Sequence, residues 1–149
     1  MIYGNHWEFM TKNQSYFWLA IFAFGTIAFT LVQDKIRPNY SGQNDVINYL
    51  LGIAPNYFAA LALSAFFVVM IFHINEGAKK PATSPWFNNY AHHTAAAISL
   101  TGLSLWEFAQ NYSSRGHADW HDIIWTLGGT STFYLIWYIV KPKSQDNKK

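Results

Sequence analysis

The fold of this chain is decided by residues 46–75, VINYLLGIAPNYFAALALSAFFVVMIFHIN, which contain no Asp, Glu, Lys or Arg. A helix needs about 20 residues to cross the roughly 30 Å hydrocarbon core of a bilayer, because it rises about 1.5 Å per residue. The segment is long enough, and its stretch 61–72 has no polar face. Since a soluble four-helix bundle would need a polar face on every helix, we interpret this segment as a transmembrane helix.

Three further windows without charged residues predict the remaining architecture. They cover residues 13–33, 81–106 and 123–140. We therefore predict an all-α, polytopic membrane protein, a single domain over residues 1–149 with a short aromatic N-terminal arm and a basic C-terminal tail. Its four transmembrane helices are expected at residues 15–33, 45–73, 86–110 and 120–140.

The composition supports a membrane location and excludes several other classes of protein. Aromatic residues make up 19% of the chain, and Trp and Tyr concentrate where a bilayer meets water. The chain has no cysteine, which excludes disulfides, thiolate metal sites and thiol nucleophiles. It has no nucleic-acid-binding motif, so nucleic acid is not an expected partner. Leu31-Val32-Gln33 lacks the small-x-small pattern of signal-peptide cleavage, so the first helix is expected to be retained.

The distribution of Lys and Arg predicts the orientation. Four spans place both termini and the middle loop on one side, which carries Lys12, Lys79, Lys80, Lys141, Lys143, Lys148 and Lys149. The other side carries Lys35, Arg37 and Arg115. Because basic residues are enriched in cytoplasmic loops, we predict a bacterial inner (plasma) membrane protein with both termini in the cytoplasm. The first and third loops then face outward.

Two features of the helices are expected to shape their packing. Pro55 removes a backbone donor from the second helix and clashes with the carbonyl four residues earlier, so a kink is expected near Leu51 and Gly52. Small residues mark packing faces between membrane helices. Gly128 and Gly129 are such residues in the fourth helix, and we expect them to bring it against the Ala- and Ser-rich third helix.

The densest polar cluster spans the end of the third helix, the third loop and the start of the fourth helix. It comprises Glu107, Gln110, Arg115, His117, Asp119, His121 and Asp122. Glu107 and Gln110 are three residues apart and therefore share a helix face. Glu107 lies about one turn inside the predicted end of the helix, where an ionisable group is costly and marks a functional-site hypothesis. Glu107 is the predicted central residue of the site.

A purely structural interpretation of the cluster is also open. Asp119 can cap the N-terminus of the fourth helix, with Asp122 at the third helical position, where a carboxylate favours the helix dipole. Glu107 can pair with Arg115 at the outer surface. This interpretation accounts for the two aspartates, but not for the convergence of the other polar residues on one short hairpin.

The cluster resembles the motif of the VanZ-like family of small integral membrane proteins. The matching residues are Glu107, Gln110, Arg115, Asp119 and Asp122, then Leu127-Gly128-Gly129, and upstream Asp45-Val46-Ile47-Asn48 with Pro55. Asp45 and Asn48 join the candidate site on this ground. The resemblance covers residues 44–140 and implies a four-helix protein linked to the cell envelope, including glycopeptide-antibiotic resistance for the founding member. One departure is Trp125-Thr126, where the family often has Asn-Thr.

The histidines permit two rival interpretations. His117 and His121 are four residues apart, which on a helix is a metal-ligand spacing. His73 and the pair His92-His93 are expected at one depth on the cytoplasmic side, as haem ligands would be. Histidines at helix ends more often anchor the chain at the interface, so neither a metal nor a cofactor is predicted.

Two classes of function follow. In the first, a non-enzymatic membrane protein uses the outward-facing cluster to bind a lipid, a lipid-linked or envelope ligand, or a partner such as a second copy or another subunit. In the second, a membrane-embedded enzyme uses Glu107 or Asp122 as a general base, with His117 or His121 as acid–base partner, on a lipid phosphate or envelope precursor. A subunit of a transporter or of a haem- or metal-binding complex is a further alternative. We favour the first class because no nucleophile–base pair is recognisable.

Overall fold

The computed structural model describes residues 10–76, 90–110 and 119–140. Within these residues 92% are helical and none lies in a strand, which confirms the all-α class. The long helices of this part are α1 (Lys12–Thr30), α2 (Asp45–Glu76), α3 (Ala91–Gln110) and α4 (Trp120–Val140). Nearly all of the N-terminal arm, the middle loop, most of the third loop and the basic tail lie outside the described residues.

The start of α1 precedes the predicted residue 15 because a capping box stabilises its first turn. The side-chain oxygen of Thr11 accepts a hydrogen bond from the backbone N–H of Gln14 at 3.3 Å. In return, the Gln14 side chain accepts one from the backbone N–H of Thr11 at 2.9 Å. This Thr-x-x-Gln pattern satisfies donors that a helix N-terminus otherwise leaves unpaired, and the helix therefore begins at Lys12.

Helical backbone also continues beyond the predicted end at residue 33. After α1 the chain forms a π-helical segment, Leu31–Ile36, and then a short helical turn, Arg37–Asn39. Asp34 and Lys35 lie exposed within the π-helical segment. A charged residue marks where a helix leaves an apolar environment, but it does not interrupt the backbone hydrogen bonds. The predicted end was therefore too early.

Among the described residues, three helical stretches are long and apolar enough to cross a membrane, namely Lys12–Asn39, Asp45–Ile74 and Trp120–Val140. They are consistent with an integral membrane protein. α3 is not one of the three, although its 20 residues would rise about 30 Å, since polar residues such as His92 and Glu107 lower its hydropathy. The predicted start of this helix at residue 86 lies outside the described residues.

α2 is the central helix of the described part and contacts α1, α3 and α4. Its buried face includes Ala60, Ala65 and Val68, whose small side chains allow neighbouring backbones to approach. At the contact with α1, a Cβ atom on Gly25 would lie 2.9 Å from the Cβ of Ala62. Such close backbone approach through small residues is the usual packing mode of membrane helices.

Gly129 makes the corresponding close approach between α4 and α2. A Cβ atom on Gly129 would overlap the carbonyl oxygen of Tyr57 and lie 3.0 Å from the Cβ of Ala60. At Gly128 a Cβ atom would meet its nearest neighbours at an ordinary 3.6 Å. α3 and α4 do contact each other, but the expectation that the glycines mediate that contact is wrong, because the tight glycine contact is with α2.

An aromatic core joins the start of α1 to the end of α4. Trp18 is 1% exposed, and its ring lies 5.1 Å from that of Phe133 and 5.7 Å from that of Trp137. Aromatic pairs of this kind contribute about 0.5–1.5 kcal/mol beyond burial of their area. The Gln14 side chain also donates a hydrogen bond to the carbonyl of Val140 at 3.2 Å. This end of the bundle is therefore tightly closed.

α2 runs through Pro55 as one helix, and the kink at this residue stays a prediction. Pro55 itself is buried. Gly52, close to one turn earlier, has no atom within 4 Å of the place where a Cβ would stand. Open space therefore adjoins α2 at this point, at the end of the bundle opposite the aromatic core.

Candidate functional site

The open space beside α2 belongs to a cavity of about 890 Å³ where four helix ends meet. Its lining residues are Phe29, Gln33, Arg37, Tyr49, Gly52, Ile53, Pro55, Asn56, Trp106, Glu107, Ala109, Gln110, Asp119, His121 and Asp122. They come from the end of α1 and its extension, the start of α2, the end of α3 and the start of α4. Every long helix thus contributes to the polar pocket, as we call this cavity.

Glu107 is the most deeply buried ionisable side chain of the polar pocket, with 3% of its surface exposed. Gln110, on the same face of α3, makes a side-chain hydrogen bond to it. The Oε2 atom of Glu107 is buried and has no hydrogen-bond partner among the described residues. Burying a carboxylate oxygen without a donor is costly, so a donor that enters the pocket would be strongly favoured at this atom.

Asp122 links α4 to α2 at the second carboxylate of the pocket. Its half-buried side chain accepts a hydrogen bond from the side-chain amide of Asn56. The positive charge of Arg37, in the helical turn after the π-helical segment, attracts the same carboxylate. The charges of Asp122 and Glu107 repel each other. The pocket therefore holds two neighbouring carboxyl groups with one cation near the second.

Asp119 is the N-cap of α4, the role that the purely structural interpretation of the cluster gave it. Its carboxylate accepts a hydrogen bond from the backbone N–H of His121 at 2.9 Å and lies 2.9 Å from Nδ1 of the same residue. These two contacts hold the pKa of Asp119 below its ordinary value. Asp119 therefore adds a permanent negative charge to the rim of the pocket at neutral pH.

Aromatic contacts hold the wall of the pocket between α2 and α4. The ring of Tyr49 meets that of His121 edge to face at 5.9 Å. The hydroxyl of Tyr49 accepts a hydrogen bond from the indole N–H of Trp125 at 3.1 Å. About two turns deeper, the hydroxyls of Tyr57 and Thr132 lie 2.8 Å apart. These pairs fix the separation of the two helices that carry Asn56 and Asp122.

The structure brings together five of the nine predicted site residues. Glu107, Gln110, Asp119, His121 and Asp122 all line the polar pocket. Two others, Arg115 and His117, lie outside the described residues. The predicted pairing of Glu107 with Arg115 and the metal spacing of the two histidines fall there as well.

Asp45 and Asn48 lie near the pocket's end of α2 but do not line it. Both are exposed, and the Asn48 amide donates a hydrogen bond to the carbonyl of Gly42 at 3.4 Å. The N-cap role at this helix belongs to Asn44, whose side-chain oxygen accepts from the backbone N–H of Val46 at 3.0 Å. The hydrogen bonds of Asn44 and Asn48 are therefore those of a helix terminus.

Four polar residues of the pocket were missed from the sequence: Gln33, Arg37, Tyr49 and Asn56. They lie on α1, its extension and α2, far along the chain from the predicted hairpin. The four-residue spacing of Gln33 and Arg37 was a usable signal, because residues four apart share a helix face. This spacing was not used, because the first helix was expected to end at residue 33.

His92 and His93, for which haem ligation was an alternative interpretation, pack against α4. The ring of His92 stacks on that of Trp137 at 4.7 Å with an angle of 12°. Nδ1 of His93 lies 3.0 Å from the hydroxyl of Tyr134. His73 is exposed. Among the described residues no group of three or more His, Asp or Glu side chains is arranged to hold a metal ion.

Comparisons with models of protein families, with curated proteins and with solved structures found no match to this chain. The resemblance to the VanZ-like family therefore rests on the quoted motif alone.

Proposed function

We propose that this chain is an integral membrane protein whose polar pocket binds the headgroup of a lipid or of a lipid-linked envelope ligand. The observation that carries the proposal is Glu107, a buried carboxyl group on the wall of a cavity to which all four long helices contribute. Binding pockets for small ligands measure about 300–1,000 Å³ and combine apolar walls with a few convergent polar groups. The polar pocket has that size and that mixture.

The proposal includes four membrane spans, with α3 as the third. α3 is as long as a bilayer core is thick, and it contacts both α2 and α4. Two of its polar residues, Glu107 and Ser99, are buried, whereas the apolar Leu105 and Trp106 are exposed. A helix packed in this way can cross a bilayer although its mean hydropathy is modest.

The proposed orientation puts both termini in the cytoplasm and the polar pocket at the outer surface of a bacterial inner membrane. The excess of Lys on the side of the termini supports it. The VanZ-like motif supports the further proposal of a role in the cell envelope, in which antibiotic resistance is one phenotype to test. A second copy or another subunit remains a proposed partner.

Filling the pocket tests the proposed function. Gly52→Trp would project a large side chain into the space beside α2, where a Cβ meets no atom within 4 Å. Gly102→Trp is the matched control, because Gly102 has equally open surroundings but does not line the pocket. We expect native mass spectrometry to detect lipid bound to the wild type and to Gly102→Trp but not to Gly52→Trp. Equal lipid binding by all three proteins would contradict the proposal.

The pair formed by Asp119 and His121 favours a second candidate, an enzyme acting on a lipid phosphate or envelope precursor. A carboxylate 2.9 Å from an imidazole nitrogen orients the ring for proton transfer, and both residues line the polar pocket. Release of phosphate from a short-chain lipid phosphate by the wild type, lost in His121→Gln and kept in His73→Gln, would favour the enzyme. If the wild type releases no phosphate, the enzyme candidate fails and the binding function stands as the proposal.

A further inference from the structure

The charges of the polar pocket favour a cationic group in its interior. The described lining carries Glu107, Asp119 and Asp122 against a single cation, Arg37. The negative charge of Asp122 repels that of Glu107. A cation between them would relieve that repulsion, and in a partly desolvated cavity such an interaction is stronger than in water.

The deepest carboxyl group requires a hydrogen-bond donor as well as a charge. Oε2 of Glu107 is buried without a partner among the described residues, and a buried acceptor gains most from an N–H or O–H group. A primary ammonium group presents three N–H donors together with its charge. A quaternary ammonium group has the same charge and no N–H donor, so it cannot satisfy this oxygen.

Arg37 supplies the opposite charge at the rim of the pocket. It is exposed and lies in the turn that follows the π-helical segment. A guanidinium group matches the geometry of phosphate oxygens and binds them through paired hydrogen bonds. The pocket therefore offers hydrogen-bond acceptors for a cation in its interior. At its mouth, where Asp119 also lies, Arg37 offers a donor for an anion.

We propose that the polar pocket recognises a primary ammonium group joined to a phosphate, the chemistry of a phosphoethanolamine headgroup. This inference rests on the proposed function. The ammonium lies against Glu107 and Asp122, and the phosphate lies against Arg37. Phe29 and the exposed Trp106 also line the cavity, and their rings offer apolar surface to the acyl chains of a lipid.

Isothermal titration calorimetry of the full-length protein in a nonionic detergent tests the proposal with dihexanoyl lipids that differ only in headgroup. We expect phosphatidylethanolamine to bind at least ten times more tightly than phosphatidylcholine or phosphatidylglycerol. Phosphatidylcholine keeps both charges but lacks the N–H donors, and phosphatidylglycerol lacks the cation. Free phosphoethanolamine separates the two sources of this chemistry, since tighter binding of the free compound would make a soluble metabolite the ligand.

Two variants test which residue binds the ammonium group of the headgroup and which binds its phosphate. Glu107→Gln should abolish the preference for phosphatidylethanolamine over phosphatidylcholine, whereas Asp45→Asn, an exposed carboxylate outside the pocket, should keep it. Arg37→Gln should weaken the binding of both lipids about equally and preserve the ratio of their affinities. Lys35→Gln is the control for this variant. Should Glu107→Gln fail to fold, the ratio measured on the wild type and on Arg37→Gln still decides the question.

The outcomes separate this inference from the proposed function. If phosphatidylcholine or phosphatidylglycerol binds as tightly as phosphatidylethanolamine, and Gly52→Trp abolishes that binding, the pocket binds lipid but the ammonium assignment is wrong. If none of the lipids binds, or if Gly52→Trp leaves binding intact, the proposed function itself fails.

Discussion

At the residue scale, the main unfavourable feature of this molecule is the burial of the Glu107 carboxyl group. The Glu107 side chain is almost fully buried, and Gln110 satisfies only part of its hydrogen-bonding capacity. A group that served only the fold would be replaced by an apolar or neutral residue at little cost, because isolated buried charges destabilise proteins. Sites that serve a ligand commonly sacrifice stability in this manner.

Glu107→Gln should therefore leave the protein as stable as the wild type or make it more stable. The amide keeps the shape of the side chain and removes the charge that burial disfavours. Thermal unfolding in detergent, followed by circular dichroism, measures the change, with Asp45→Asn as an exposed control. A clear loss of stability in Glu107→Gln would instead identify the carboxylate as a structural clamp within the hairpin.

At the scale of the helices, the two adjacent glycines of α4 should respond differently to the same change. Gly129→Ala places a methyl group against the carbonyl oxygen of Tyr57, and overpacking of this kind costs about 1–3 kcal/mol. Gly128→Ala meets only ordinary contacts and should be close to neutral. The difference in unfolding free energy between the two variants, measured in denaturing detergent, checks the assignment of the α2–α4 contact. Equal effects would mean that the two helices do not meet at Gly129.

The uncharged windows predicted where the helices lie, but not how the helices begin, end and pair. Three of the boundaries near the pocket were close, because Asp119 and the residues around Asn44 provide readable caps and α3 ends at the predicted Gln110. The ends of α1 were wrong, since hydrophobicity reports the surroundings of a helix and not its backbone. Pairing was wrong at Gly129 because a small residue shows that a partner exists without showing which one.

The candidate site was predictable on α3 and α4 because its residues lie within one hairpin of the sequence. Glu107 stood out through its depth and Asp119 through its capping position. Asn56 could not be placed from sequence spacing, since its neighbours in the pocket come from helices distant along the chain. Arg37 entered the sequence interpretation only as a topology signal, although it lines the same cavity as Asp122.

At the scale of the whole molecule, the orientation in the membrane is directly testable. The chain has no cysteine, so a single introduced thiol reports its own position without interference. Ser41→Cys, in the exposed loop before α2, should react in intact cells with a membrane-impermeant maleimide. Ser144→Cys, in the C-terminal tail, should react only after the cells are opened. The reverse pattern would show that the orientation is inverted and that the polar pocket lies at the cytoplasmic surface.

The π-helical segment Leu31–Ile36 determines the direction in which Arg37 points. Each residue of an α-helix turns the chain by about 100°, and the wider π-helix turns it by less. Over the segment this difference accumulates, so Arg37 faces another side of the helix axis than it would at the end of a regular α-helix. Deleting Leu31 should shift that azimuth and lower phosphate-dependent binding as Arg37→Gln does. A change of one residue in the length of this segment would therefore change the direction of Arg37 at the mouth of the pocket.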